Sequence, residues 1–305
     1  MLTRAGSTTG ILTALALATL ATLAVGCRKE GLSDQGQIGA AVGEVMASAD
    51  ESANGGATTA MLPALPVVPV LRAPAELRPP LWRRAMDALT LIPPAYADSC
   101  LPVSYSTCSS GVRTATFNGC TVGLVTVEGS VNLTFSDAAV CNIATVGDSV
   151  NRTGSLTLSA LGGSLAITAP GGGQTLTRTA SGFTFAVPGM ERVLTLPSGR
   201  TLFDISTATS TPLTITGSSR SDLAIVGGTL VVTHHLAGYS VSLTPDNLAW
   251  TPTCNCASSG SLSGTVSGGK DDGKSATVTL TGCGTADVTV DGDTESVTMD
   301  RCAAI

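Results

Sequence analysis

Aromatic residues are nearly missing from this chain: five Phe, three Tyr and two Trp among 305 residues. A membrane-spanning β-barrel carries aromatic girdles and a lipid-facing apolar band, so that class does not fit. Lysine is scarcer still, present only as Lys29, Lys270 and Lys274. With a formal charge of −6, the chain offers no basic patch for nucleic acid or an anionic bilayer. Histidine occurs twice, as His234 and His235. Neighbours on a strand point to opposite faces, so these two do not converge on one metal or one catalytic group. No Gly-x-Ser-x-Gly nucleophile elbow occurs. The apolar run at residues 11–25 falls short of the ~20 residues that span a bilayer.

What the chain does have is cysteine, divided unevenly. Cys27 closes the short apolar segment. The other eight are Cys100, Cys108, Cys120, Cys141, Cys254, Cys256, Cys283 and Cys302. Residues 1–26 read as an export signal: Arg4 gives the positive start, and residues 11–25 the apolar centre. An even set of cysteines in an exported chain reads as disulfides, because the compartment is oxidising.

Leu23-Ala24-Val25-Gly26-Cys27 resembles the lipobox of bacterial lipoproteins. Ala24 stands where Leu is usual, with Leu23 beside it. The resemblance covers residues 1–28 and implies that Cys27 is diacylated and becomes the N-terminus. Several acyl chains, at ~0.8 kcal/mol per buried CH₂, hold a protein firmly. Arg28, rather than Asp, after the cysteine resembles the pattern for outer-membrane sorting. The expected location is therefore the bacterial envelope, periplasmic or surface face, with the membrane engaged through lipid.

Residues 27–97 are expected to form an Ala/Pro-rich tether. They begin Gly/Ala-rich and then carry Pro63, Pro66, Pro69, Pro74, Pro79 and Pro80. A coil of this length spans ~45 Å. One short helix is predicted at 81–92, where Trp82, Met86 and Leu89 share a face.

From residue 98 to 305 the period becomes two. Leu156-Thr157-Leu158, Leu165-Ala166-Ile167, Phe183-Thr184-Phe185, Leu213-Thr214-Ile215, Val241-Ser242-Leu243 and Val288-Thr289-Val290 all alternate. Clusters at Gly162-Gly163, Gly171-Gly172-Gly173, Pro188-Gly189 and Gly227-Gly228 are expected to separate short strands of ~5–7 residues. The fold class is all-β: an antiparallel sandwich or strongly curved meander sheet, with a β-solenoid as the alternative.

The ends of this domain repeat each other. Thr116-Phe117-Asn118-Gly119-Cys120 with Val125-Thr126-Val127-Glu128-Gly129 matches Thr279-Leu280-Thr281-Gly282-Cys283 with Val288-Thr289-Val290-Asp291-Gly292. The reading is an internal duplication: related four-cysteine modules at 98–141 and 254–302, stapled by disulfides around a cysteine-free middle. Eight cysteines allow on the order of a hundred pairings. If each module pairs internally and alike, three schemes remain. Cys254 and Cys256 are too close to bridge without strain. Two schemes are left: first to third with second to fourth, or first to fourth with second to third.

Other candidate chemistry is thin. Gly268-Gly269-Lys270-Asp271-Asp272-Gly273-Lys274-Ser275 spells a phosphate loop, but a strand pattern follows where a helix is required. A hairpin turn is expected, and no nucleotide. Asp287, Asp291, Asp293 and Glu295 read as an acidic edge or a weak calcium site. No cofactor and no resident metal is expected. The leading expectation is a non-enzymatic binding or structural β-domain with a protein or glycan partner. An adhesin or carbohydrate-binding module, with Trp250 and Tyr239 as the aromatics, is one alternative. An envelope hydrolase using His234 or His235 is another.

Overall fold

The structure is a computed structural model that describes residues 34–54, 103–122, 125–139, 141–160, 162–299 and 302. The signal, Cys27, Cys100 and the predicted helix at 81–92 lie outside the described residues.

One antiparallel sheet of 13 strands dominates the chain, in simple sequence order and not closed into a barrel. The strands are β1 Val103–Tyr105, β2 Val112–Val122, β3 Val125–Phe135, β4 Ser149–Ala160, β5 Gly163–Arg178, β6 Gly182–Thr195 and β7 Thr201–Thr216. They continue as β8 Ala224–His234, β9 Tyr239–Trp250, β10 Ala257–Gly268, β11 Ser275–Gly282, β12 Thr285–Val290 and β13 Asp293–Thr298. A solenoid would stack parallel coils; here each strand pairs antiparallel with the next. The alternation read from sequence holds. Leu156, Leu158, Phe185, Ile215, Val241, Leu243 and Val288 are buried, while Thr214 and Ser242 between such residues are exposed. Apolar faces pack inward because each buried Val or Leu side chain is worth ~1.5–3 kcal/mol.

Strand lengths differ from expectation. β5 and β7 are each 16 residues long, roughly 50 Å if straight. Most of the Gly and Pro clusters lie inside strands rather than between them. They mark bulges, and the bulges line up. The ladder slips between Arg152 and Ser155, Thr168 and Gly173, Phe185 and Met190, and Thr209 and Thr214. The line ends at Ala257–Ser261 on β10. The crease runs from β4 to β10 and crosses the β8–β9 ladder as an unpaired stretch between Ile225 and Leu230, without a change of register. Gly173 shows why glycine is needed there: with φ 88°, its absent Cβ would sit 1.8 Å from the Arg152 carbonyl oxygen.

The larger departure is in the expected tether. Asp34–Asn54 form a 21-residue helix, α1, buried around nearly its whole circumference. Ile38, Val42, Met46, Ala47, Ala49 and Asp50 are all essentially inaccessible. The helix contacts β12 and β13 and also β6. In a flat sheet, β6 and β13 would lie roughly 34 Å apart, yet a helix is only ~10–12 Å wide. The sheet therefore curls around α1. One apolar core joins the helix to β3–β13, and a second, smaller cluster sits between β2 and β6.

Small residues allow the close seat. A Cβ on Gly39 would lie 2.5 Å from Val297 Cγ2, and one on Gly43 2.8 Å from Met299 Cβ. Charge fixes the helix axially. Asp50, fully buried, accepts three hydrogen bonds from Arg220 in the β7–β8 loop, at 2.8, 3.1 and 2.7 Å. These bonds move the Arg220 pKa further up. Glu44 pairs with Arg192 of β6. The loop that presents Arg220 is itself tied. Asp222 accepts bonds from the Ser219 hydroxyl and the Ser218 and Ser219 backbone N–H groups, which lower its pKa.

Arg220→Ala removes the arginine from a buried carboxylate and is expected to cost about 3 kcal/mol; adding Asp50→Ala should restore part of the loss, read by denaturant unfolding. Gly43→Leu gains helix propensity of ~1 kcal/mol but overpacks against Met299, and a net loss of ~1–3 kcal/mol is expected in the same assay.

Candidate functional site

Three disulfides are present among the described residues: Cys108–Cys141, Cys254–Cys283 and Cys256–Cys302. In the second module the first cysteine joins the third and the second joins the fourth. Cys108–Cys141 is the second-to-fourth bridge of the first module, so it follows the same scheme. First-to-fourth pairing is thereby excluded. Cys120 lies in β2, and its side chain is outside the described residues. Both sulfurs of the Cys256–Cys302 bridge sit 3.7 Å from the Gly43 carbonyl oxygen. The staple thus closes directly over the helix seat.

The duplicated strings take different hairpins. Glu128-Gly129 stays inside β3, with Gly129 facing Leu156 of β4. Its counterpart Asp291-Gly292 makes the two-residue turn between β12 and β13, with φ of 54° and 88°. Asp-Gly is a preferred pair for such a turn and Glu-Gly is not. One strand in the first copy therefore becomes two in the second.

The histidines split across the sheet as expected. His234 is buried and tilts against Tyr239, with ring centroids 5.4 Å apart. His235 points to the outer face. There its Nε2 lies 3.1 Å from Ser206 Oγ and 4.0 Å from Asp204 Oδ1. Serine and carboxylate approach the same ring nitrogen. A nucleophile relay needs them on opposite nitrogens, so this trio is not one.

A third strand adds to this neighbourhood. Glu191 on β6, Asp204 on β7 and His235 after β8 bring their ligand atoms within 4.8 Å of one another. The register dictates it. Val193 pairs with Asp204 and Glu191 with Ser206, while His235 N–H donates to the Asp204 carbonyl at 2.9 Å. Arg192 turns inward to Glu44, so its neighbour Glu191 turns outward. Thr168 on β5 donates to Glu191 at 3.4 Å. Nothing in the linear sequence flagged this set: its members lie far apart in the chain, and only strand register unites them.

The remaining candidates do not assemble. The 268–275 motif spans the β10–β11 hairpin: residues 269–274 form its loop with one 3-10 turn, Gly269–Asp271, and β11 starts at Ser275. Lys274 is held by Asp291 at 2.8 Å and Asp271 at 3.1 Å, which raise its pKa. Asp287 accepts from Ser296 at 2.6 Å. Asp293 and Glu295 are exposed on β13, the last strand of the sheet. Charge on an edge discourages pairing with another chain. Trp250 is 5% exposed and packs in the core, so it offers no face for stacking on a sugar.

The chain matches no protein-family model and no curated protein sequence.

Peptide mapping of the non-reduced protein is expected to recover the three bridges and to join Cys100 to Cys120 by the same first-to-third rule. A Cys120–Cys283 peptide would break the rule.

Proposed function

We propose that this is an exported, lipid-anchored envelope protein of bacteria, whose disulfide-stapled β-domain does binding or structural work rather than catalysis. The observation that carries this reading is the set of buried bridges. Cys141, Cys254 and Cys256 are inaccessible, and such bonds form and persist in oxidising compartments. The lipobox-like Cys27 supplies the anchor and the export route.

The helix seat supports the choice of binding or structural work over carriage of an apolar cargo. Helix α1 fills the concave side that a carrier would keep open. Contacts with a partner then fall to the outer face, where Thr and Ser alternate with the buried residues. The seat also shortens the leash. Six residues separate Cys27 from Asp34, so lipid on Cys27 would hold the domain within ~25 Å of the bilayer. The partner is thus a component at or near the membrane surface.

Metabolic labelling with an alkyne fatty acid tests the anchor. The wild-type chain is expected to take up label and to sediment with membranes, and Cys27→Ser to lose both. Equal labelling of the two chains would remove Cys27 from the reading.

A further inference from the structure

We propose that Glu191, Asp204 and His235 form a binding site for one divalent transition-metal cation of the Zn²⁺ class on the outer face of the sheet. The site goes beyond the envelope role above and does not depend on it.

The first argument is convergence on rigid elements. Three metal-ligating side chains come from three adjacent positions of a central part of the sheet, and their ligand atoms lie within 4.8 Å of one another. Asp204 and His235 face each other across the β7–β8 ladder, and Glu191 stands diagonally across the β6–β7 ladder. Glu191 and Asp204 sit on strands, which hold a set more closely than loops do, and His235, the first residue of the β8–β9 turn, is tied to β7 by its N–H on the Asp204 carbonyl.

The second argument is an unmet demand for positive charge. Asp204 Oδ1 is shielded from solvent and accepts no hydrogen bond. A desolvated carboxylate oxygen without a donor is costly. Its neighbour Glu191 is also an acid. The arginine next to Glu191 is committed elsewhere: Arg192 turns inward and pairs with Glu44. Two carboxylates beside each other favour a cation between them, and a divalent ion balances both.

The donor set selects the ion. Calcium and magnesium prefer all-oxygen shells, whereas imidazole suits zinc and its transition-metal neighbours. The described cysteine thiols are consumed in disulfides, so soft thiolate sites do not compete. Zinc binds nitrogen and oxygen tetrahedrally at ~2.0–2.2 Å, which sets its ligand atoms ~3.4 Å apart. The three ligand atoms lie within 4.8 Å of one another, and side-chain rotation would have to close the difference. His235 and Asp204 have 43% and 25% of their side-chain surface exposed and are free to rotate. Thr168 would orient Glu191 by the hydroxyl contact already described, as outer partners commonly do at metal centres, while the Ser206 hydroxyl, now on His235 Nε2, would give way to the ion. Three protein ligands leave a fourth position open for water or a partner's donor group.

Equilibrium dialysis of the untagged full chain against zinc chloride, followed by metal analysis, tests the site. Wild type is expected to retain one equivalent of zinc. Glu191→Gln and His235→Gln should each weaken retention by about tenfold or more, while Asp293→Asn on the acidic edge should not. Zinc should also raise the unfolding temperature of wild type and leave that of His235→Gln unmoved; circular dichroism confirms that each variant is folded, and either variant alone decides the matter. Absence of saturable zinc uptake overturns the proposal. So does one equivalent that survives both substitutions, which places the ion elsewhere. Displacement of the zinc by a modest excess of magnesium would overturn the assigned class of ion.

Discussion

The seating of α1 inside the curled sheet is the constraint on which the rest depends. A sheet of 13 strands in simple order has no intrinsic reason to turn its apolar face upon itself so tightly. The helix supplies the apolar surface that the inner residues of β8–β13 require. Contact is close because Gly39 and Gly43 let the helix backbone approach Val297 and Met299. The Cys256–Cys302 bridge then touches Gly43 from the far side of the sequence. Three segments, near residues 43, 256 and 302, meet at one point. The entropy of closing loops of that length is large in total but grows slowly with length, so a few close contacts and one covalent bond suffice to hold them.

The crease makes the curl compatible with long strands. A 16-residue strand cannot wrap a short helix while staying straight and fully laddered. Bulges at Arg152–Ser155, Thr168–Gly173 and Phe185–Met190 break the ladders at one level, and bulges bend strands and increase their twist. On β4–β6 the halves on either side of this line feed different cores. Val150, Leu176 and Phe185 join the helix-bearing cluster, while Leu158, Leu165 and Leu194 join the smaller one. One sheet thus serves two cores without becoming two sheets.

The alternating pattern made the strands, their inner faces and the antiparallel pairing legible in the sequence. Leu156, Phe185 and Val241 fall where a period of two puts them. Two things were hidden for physical reasons. Gly171–Gly173 and Pro188-Gly189 have the composition of turns, and only the opposing strand reveals that they are bulges. Helix α1 lacks the polar stripe by which a surface helix is recognised. Buried on all sides, it uses Ala and Gly with a few charged residues, and that composition also describes a linker. The cysteine pattern reduced the bridges to two schemes, and Cys108–Cys141 with Cys254–Cys283 chose between them. The grouping of Glu191, Asp204 and His235 was invisible for a different reason: His235 stood out as one of two histidines, but only the ladder register brings the two acids to it.

Charge separates the two faces of β6 and β7 within a few residues. Arg192 points inward and meets Glu44; Glu191, next to it, points outward and meets Asp204 and His235. Inside, the buried acids Glu44 and Asp50 are each answered by an arginine, because an unpaired charge in the core would expel the helix. Outside, no arginine or lysine among the described residues answers Glu191 or Asp204, although Asp204 Oδ1 is as shielded as a core atom. Solvent near the half-exposed His235 relieves the cost in part and leaves that oxygen unmatched. A chain that pairs each of these interior acids with an arginine, and on one patch of its outer face sets two adjacent acids beside a single imidazole with no arginine or lysine, has placed its unmet electrostatic demand where a dissolved cation can reach it.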